Sequence, residues 1–293
     1  MRLHRLLRLL AITCLTSSSI HSYNDNWLTS LFQDNSTSFD TFDSERVHLI
    51  DYNSSTQNML FRGDIPRNSK GQYDRGTLLR ALKKTFKNSI KSRSGKSKDK
   101  FPKNYQLVVI SMHTLETEQE VDFLKVLYKY YSNDWHTSMS EIPYETKYTG
   151  RNGDFWYWWW VRANETHSPP FSEDVSWQTL ADTLDFSPEV IQEKLIDQTW
   201  DGYPLRFIEL IELLKEYMET RGDDPYVIYL HSRNGINRSG STEVAYNMMV
   251  HQEDIESAWN NSLLTENGET LEYHKPQEAK TFLMYFKAYL DSL

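Results

Sequence analysis

Cysteine is almost missing from this chain: of 293 residues, Cys14 is the only one. A disulfide framework, a thiolate-ligated metal and, beyond the leader that holds Cys14, a thiol nucleophile are therefore excluded. Glycine (11) and proline (9) are sparse as well, which rules out collagen-like and low-complexity chains. No apolar run approaches the roughly 20 residues that a bilayer-crossing helix needs. Positive charge is also in deficit. Against 41 Asp and Glu stand 32 Lys and Arg, a net charge of −9, whereas a general nucleic-acid binder needs a basic surface to displace counterions. Aromatic residues are what the chain has in quantity, with 9 Trp, 18 Tyr and 13 Phe. Each buried ring removes roughly 150–250 Å² from water, so a chain of this length suits one large domain with a sizeable core.

The first 22 residues read as a secretory signal peptide: Arg2, Arg5 and Arg8, then the apolar run Leu9 to Leu15, then Ser17 to Ser19. A cut between about Ser17 and Tyr23 removes three Arg and no acid, taking the net charge from −9 to −12. Asn-x-Ser/Thr triplets at Asn35, Asn53, Asn164, Asn237 and Asn260 agree with passage through a secretory lumen, and a secreted glycoprotein is the expectation. Residues 23–45 read as a flexible lead-in and 46–293 as a single domain.

Within that domain strands and helices alternate in the manner of an α/β fold. Arg46 to Tyr52, Met59 to Arg62 and the β-branched run Tyr105 to Met112 read as strands. Helical spacing appears over Asp74 to Lys91, Thr117 to Tyr131 and Pro204 to Thr220, the last ended by Gly222. Ser187 caps a further helix with Pro188 in its first turn, and three more are expected over Ser239 to Met249, Asp254 to Leu264 and Pro276 to Leu293. Lys91 to Lys103 is a basic, Ser-rich loop best read as solvated. Phe155 to Val161 carries six consecutive aromatic rings; exposed, it would aggregate, so it is a buried strand or a stacking wall for a ligand.

Pro225 to Met249 carries the chemistry. An apolar strand, Tyr226 to Leu230, enters a short polar loop with one Gly, and the loop enters a helix. Backbone N–H groups and a helix N-terminus then converge on one spot, and with Arg238 they form an anion cradle suited to phosphate. A planar guanidinium grips two oxygens together, which a Lys ammonium does less well.

This segment resembles the signature of the protein tyrosine and dual-specificity phosphatases: His, Cys, five residues, Arg, then Ser or Thr. Here the run is His231, Ser232, Arg233, Asn234, Gly235, Ile236, Asn237, Arg238, Ser239, so only the nucleophilic cysteine is replaced. Leu60 to Pro66 and residues 105–131 also look like early elements of that family, and the likeness spans roughly 59–293. An aromatic-rich insertion around 145–195 has no counterpart in the minimal fold. The resemblance implies an α/β domain with a central mixed sheet flanked by helices and the signature loop between a buried strand and a helix. It further implies that Arg238 and the loop amides of residues 232–238 hold phosphoryl oxygens, that His231 orients the nucleophile, and that Ser239 donates to it. For the general acid it points to Asp201, 31 residues before Ser232 and just ahead of a helix, although the family's Trp-Pro-Asp triplet is absent. No cofactor and no metal are implied.

A cysteine thiol titrates near 8.5 and a helix N-terminus with nearby cations can bring it to about 3.5–7.5. A serine hydroxyl starts far higher and ordinarily needs an adjacent base. His231 precedes Ser232 on a strand, where successive side chains face opposite ways. Three readings stay open: a pseudophosphatase that binds a phosphorylated protein, lipid or small molecule; an active phosphomonoester hydrolase working through Ser232; and a secreted interaction scaffold with a dead pocket.

Overall fold

The computed structural model describes residues 41–94, 99–113, 118–132, 147–150, 153–159, 175–197, 199–200, 203–204, 206–233, 235–263 and 276–293. The leader, most of the lead-in, Asp201 and Asn234 lie outside them. Six strands form one mixed sheet: β1 (His48–Asn53), β2 (Asn58–Gly63), β3 (Gln106–Ser111), β4 (Tyr148–Thr149), β5 (Phe155–Trp158) and, after a two-residue ribbon of β6 (Thr199–Trp200) and β7 (Tyr203–Pro204), β8 (Tyr226–His231). Their order is β1-β2-β8-β3-β5-β4, with β2, β8, β3 and β5 mutually parallel and the two edge strands antiparallel. The segment read as an aromatic insertion thus contributes a strand hydrogen-bonded to β3.

Parallel strands are buried on both faces, which is why they read as continuous apolar runs rather than alternating ones. Leu107 and Val109 pack with α1 (Arg75–Ser94) and α2 (Glu118–Ser132) on one face. Val108 and Ile110 pack on the other with α5 (Phe207–Glu219), α6 (Asn237–His251), α7 (Ile255–Ser262) and α8 (Pro276–Asp291). The shorter α3 (Trp177–Thr183) and α4 (Pro188–Ile191) join this second layer; α4 has Ser187 at its cap position without a side-chain capping bond and continues into a π turn. The Trp run follows the same alternation. Trp156 and Trp158 enter the first core and Tyr157 and Trp159 the second, so these four rings are buried. Among the described residues no helix is long and apolar enough to cross a membrane.

Four sequence expectations move. α1 runs on to Ser94, into the stretch read as a basic loop, and α5 begins at Phe207 because Pro204 belongs to the β6–β7 ribbon. α6 begins at Asn237, not Ser239, taking Arg238 and Ser239 into its first turn. Gly222 does not end α5. The helix stops at Glu219, with Thr220 already extended, and its last carbonyls are taken by side chains from the β1–β2 corner. Asn58 Nδ2 donates to Tyr217 O at 2.8 Å and Thr220 O at 2.7 Å while its Oδ1 accepts from Tyr226 N at 2.9 Å; Asn53 Nδ2 and Thr56 Oγ1 both reach Met218 O. The amide of the Asn53 triplet is therefore engaged inside the fold.

Asn58 is fully buried and joins β2, the end of α5 and the start of β8 at once. Asn58→Ala leaves buried carbonyls and an N–H without partners, and the expected loss is about 2–4 kcal/mol of unfolding free energy. Denaturant titration checks this; a loss below 0.5 kcal/mol, the scale of a neutral surface change, would show that this corner is not a structural joint.

Candidate functional site

The C-terminal ends of the parallel strands meet at one edge: His231 pairs with Gly63 of β2 and with Ser111 of β3, and Ser111 pairs with Trp158 of β5. Such an edge is where open parallel sheets bind ligands. The loop leaves β8 there. Gly235 has φ +71°, and a Cβ on it would lie 2.5 Å from the carbonyl carbon of Gly63 and 2.6 Å from Asp64 N. Only glycine fits both that conformation and that approach, so the loop lies directly against the β2 exit. α6 then starts with Ile236 at its cap position, where its apolar side chain makes no capping hydrogen bond, and the N-terminal end of the helix dipole points to the loop. Ser232 and Ser239 are buried, with their Oγ atoms 3.2 Å apart.

A platform for this loop is provided by Ser111, Met112 and His113 at the end of β3. Met112 N donates to His231 O at 2.8 Å, and Arg238 Nη1 donates to Met112 O at 3.1 Å, so one residue holds both ends of the loop. Thr242 Oγ1 donates to Arg238 O at 2.8 Å, one turn back along the helix. The His231 ring is fully buried between two polar partners, with Nε2 2.7 Å from Ser111 Oγ and Nδ1 3.2 Å from His113 Nε2. Two indoles of β5 reach the same tripeptide: Trp156 Nε1 donates to Ser111 Oγ at 2.9 Å and Trp158 Nε1 to His113 O at 3.0 Å. Burial, reinforced by His113 beside it, holds the His231 imidazole well below its ordinary pKa, so the ring is neutral.

Behind the loop sits a charged brace. Arg62 of β2, fully buried, pairs through Nε with Glu243 of α6, donates from Nη1 to Gly235 O at 2.6 Å, and donates from Nη2 to Ser262 O of α7. His48 Nδ1 lies 3.0 Å from the other Glu243 oxygen. Burial alone would push the Glu243 carboxyl up, but the opposing pull of Arg62 and His48 wins and lowers it to about 2. Asp64, whose backbone touches Gly235, goes the other way. Its burial outweighs the N–H bonds from Ile65 and Asp43 and the nearby Arg46 and Arg67, raising its carboxyl to about 6.

Of the residues singled out in the sequence, His231, Ser232, Gly235, Ile236, Arg238 and Ser239 are buried together at this edge, Asn237 is half-buried and Arg233 is exposed. Asn234 and Asp201 lie outside the described residues. His231 does not turn its ring to Ser232 but into the sheet. The platform residues Ser111, Met112, His113 and Trp156 and the brace of Arg62 and Glu243 were not foreseen. The signals for the brace were single charges inside otherwise apolar segments, Arg62 in LFRG and Glu243 in TEVAY. A groove of about 720 Å³ lined by Phe186, Pro188, Ile191, Met284 and Tyr289 includes none of these residues and gathers no comparable chemistry.

No protein-family model matches the chain, and no curated protein matches it. Solved structures similar to it include the crystal structure of Tk-PTP in the active form, at TM-score 0.34 and 13% identity over 83% of this chain and 96% of that one. They also include that of the human tyrosine phosphatase-like serine/threonine/tyrosine-interacting protein, at TM-score 0.33 and 11% identity over 79% and 93%. At such distances the chemistry of the loop has to come from its own side chains.

Glu243 ionises more readily in the folded chain than in the unfolded one, so its contribution to stability is complete above the ordinary value of 4.5 and lost as pH falls toward about 2. Glu243→Gln should remove that acid-limb dependence from the unfolding free energy. It should also cost about 3–5 kcal/mol at pH 7, because Arg62 is left buried without a counter-charge. Denaturation measured between pH 2 and 7 tests both; an unchanged acid limb would mean that the pair does not brace the folded state.

Proposed function

We propose that this protein is a tyrosine/dual-specificity phosphatase-like pseudophosphatase, one that binds the phosphate of a phosphorylated ligand in the loop from Ser232 to Ser239 and turns it over weakly or not at all. The observation that carries the reading is the placement of Arg238. It stands in the first turn of the helix that leaves the loop, is tied to Met112 O, and directly precedes Ser239, whose hydroxyl pairs with that of Ser232. Helix amides and a guanidinium in that arrangement favour a dianion with tetrahedral oxygens.

Loss of turnover follows from what surrounds Ser232. Among the described residues its Oγ hydrogen-bonds to Ser239 Oγ, and no imidazole or carboxylate hydrogen-bonds to it. Both nitrogens of His231 are occupied by Ser111 and His113. A serine without a base stays protonated, since the field of a helix end and one Arg shifts a thiol by a few units but cannot bring an alcohol to neutral pH. Asp201, the general-acid candidate by its place in the sequence, would protonate the leaving oxygen as attack proceeds and so cannot also take the proton of Ser232. The ligand class comprises phosphorylated proteins, lipids and small molecules, and a secretory lumen, where a reactive thiol risks oxidation, gives a rationale for the serine.

Calorimetry with phosphate or vanadate should show one site in the unmodified protein, no detectable binding in Arg238→Ala and weakened binding in Arg238→Lys, which cannot reproduce the bidentate grip. Equal affinity in the unmodified protein and Arg238→Ala would leave the interaction-scaffold reading in its place.

Turnover gives a separate test. Ser232→Cys is expected to hydrolyse aryl phosphates that the unmodified protein leaves intact, and Asp201→Asn in that background should slow it by roughly 10²- to 10⁴-fold, most for poor leaving groups. Comparable rates for Ser232 and Cys at this position would instead make the unmodified protein an active hydrolase.

A further inference from the structure

The hydrogens of the buried series Trp156, Ser111, His231 and His113 can be placed from the donor and acceptor inventory. We infer from them that Ser111 is a positioning residue of the loop: it locks His231 as the Nδ1-protonated tautomer and through that ring holds the strand end that carries Ser232. An indole N–H only donates, so Ser111 Oγ must accept from Trp156 Nε1 at 2.9 Å. Ser111 is fully buried, and its own hydrogen has to go to an acceptor. Among the described residues the remaining partner of its Oγ is His231 Nε2, at 2.7 Å. A hydroxyl has two lone pairs and could instead receive a hydrogen from Nε2. Its own hydrogen would then be buried without an acceptor, an outcome worse than forgoing a hydrogen bond altogether. Nε2 is therefore the acceptor.

A neutral imidazole with a bare Nε2 carries its hydrogen on Nδ1. That atom faces His113 Nε2 at 3.2 Å, which must accept in turn. The ring is held in plane by Tyr229, stacked at 5.8 Å and 20°, and by the edge of Phe123 at 5.7 Å. A doubly protonated His231 would present a second donor to Ser111 in a site closed to water, and the low imidazole pKa imposed by burial agrees.

The consequence reaches the loop through Met112. The carbonyl of His231 accepts from Met112 N and the carbonyl of Met112 accepts from Arg238, so ring and main chain of His231 are both fastened to consecutive residues of one strand end. Releasing the ring loosens the backbone from which Ser232 and the loop depart. A neutral His231 also adds no positive charge to the cradle. This deepens the proposed phosphate-binding role and rests on it.

Nitrogen-15 NMR of histidine-labelled protein, joined to a vanadate titration, tests the assignment. In the unmodified protein His231 should show a protonated Nδ1 and a bare Nε2, unchanged from pH 5 to 8. Ser111→Ala should shift the Nε2 resonance away from that position and weaken vanadate binding by roughly two- to tenfold, the scale of one hydrogen bond, and Ser111→Thr, which keeps the hydroxyl, should restore both. An Nε2-protonated or imidazolium His231 in the unmodified protein overturns the inference. So does a Ser111→Ala variant with unaltered His231 resonances and unaltered affinity. Should Ser111→Ala fail to fold, the spectrum of the unmodified protein still decides the tautomer. The expected tautomer in a protein that binds no vanadate would remove the phosphate-binding reading and leave the hydrogen assignment standing.

Discussion

Arg62 is the side chain on which most of this arrangement converges. Its guanidinium is fully buried in β2 and meets Glu243 of α6, the carbonyl of Gly235 in the loop and the carbonyl of Ser262 in α7. A buried guanidinium is costly to desolvate, and the cost is offset only when its donors find partners with good geometry. Here the three groups it satisfies belong to three different elements, so the pair works as a register device. β2, the loop and two helices can reach Arg62 together in one relative placement only. Whether the pair adds net stability over an apolar substitute is a separate matter, and such pairs often do not. What it contributes is a defined position for the carbonyl of Gly235, and with it the path of the loop.

Against that brace the loop is closed from the other side by the end of β3. Ser111 and His113 take the two nitrogens of His231, while Met112 takes its carbonyl and holds Arg238. The tryptophans of β5 finish the job by satisfying Ser111 Oγ and His113 O. The run of aromatic residues therefore has two roles at once, filling the core between sheet and helices and supplying indole N–H groups to a buried polar network. A network of this kind is worth most when every member is satisfied, because any orphan in a low-dielectric interior is expensive.

The proposed separation of binding from turnover rests on the same geometry. An oxyanion is attracted by amides at a helix start and by a guanidinium, and neither depends on which atom stands at position 232. Covalent attack on phosphorus does. The hydroxyl of Ser232 is met by another hydroxyl, that of Ser239, and its neighbour His231 is neutral and turned away. Even a positive field able to ionise a thiol would not suffice, because the distance in pKa between a thiol and an alcohol is larger than such a field can cover.

Much of the architecture was legible from pattern alone. Buried parallel strands announce themselves as unbroken apolar runs, so β3 and β8 are visible in YQLVVISM and PYVIYLH, and the strand–loop–helix that follows carries its own anion-binding logic. Chain-local rules were less secure at the margins. Gly222 looked like the stop of α5, yet the stop comes from Asn58, Asn53 and Thr56, some 160 residues earlier in the chain, whose side chains take the last carbonyls. Which residues support the loop could not be read at all, because Ser111, Met112, His113, Trp156, Arg62 and Glu243 are spread over four segments and gain their roles only when parallel pairing aligns strand ends. The sequence by itself determined the loop, its arginine and its missing thiol, since these lie within nine consecutive residues whose chemistry is local. Only the tertiary structure decided that His231 faces the sheet, that Arg238 is tied to Met112 and that a buried Arg62–Glu243 pair sets the loop's path, because each depends on atoms brought together across the sheet.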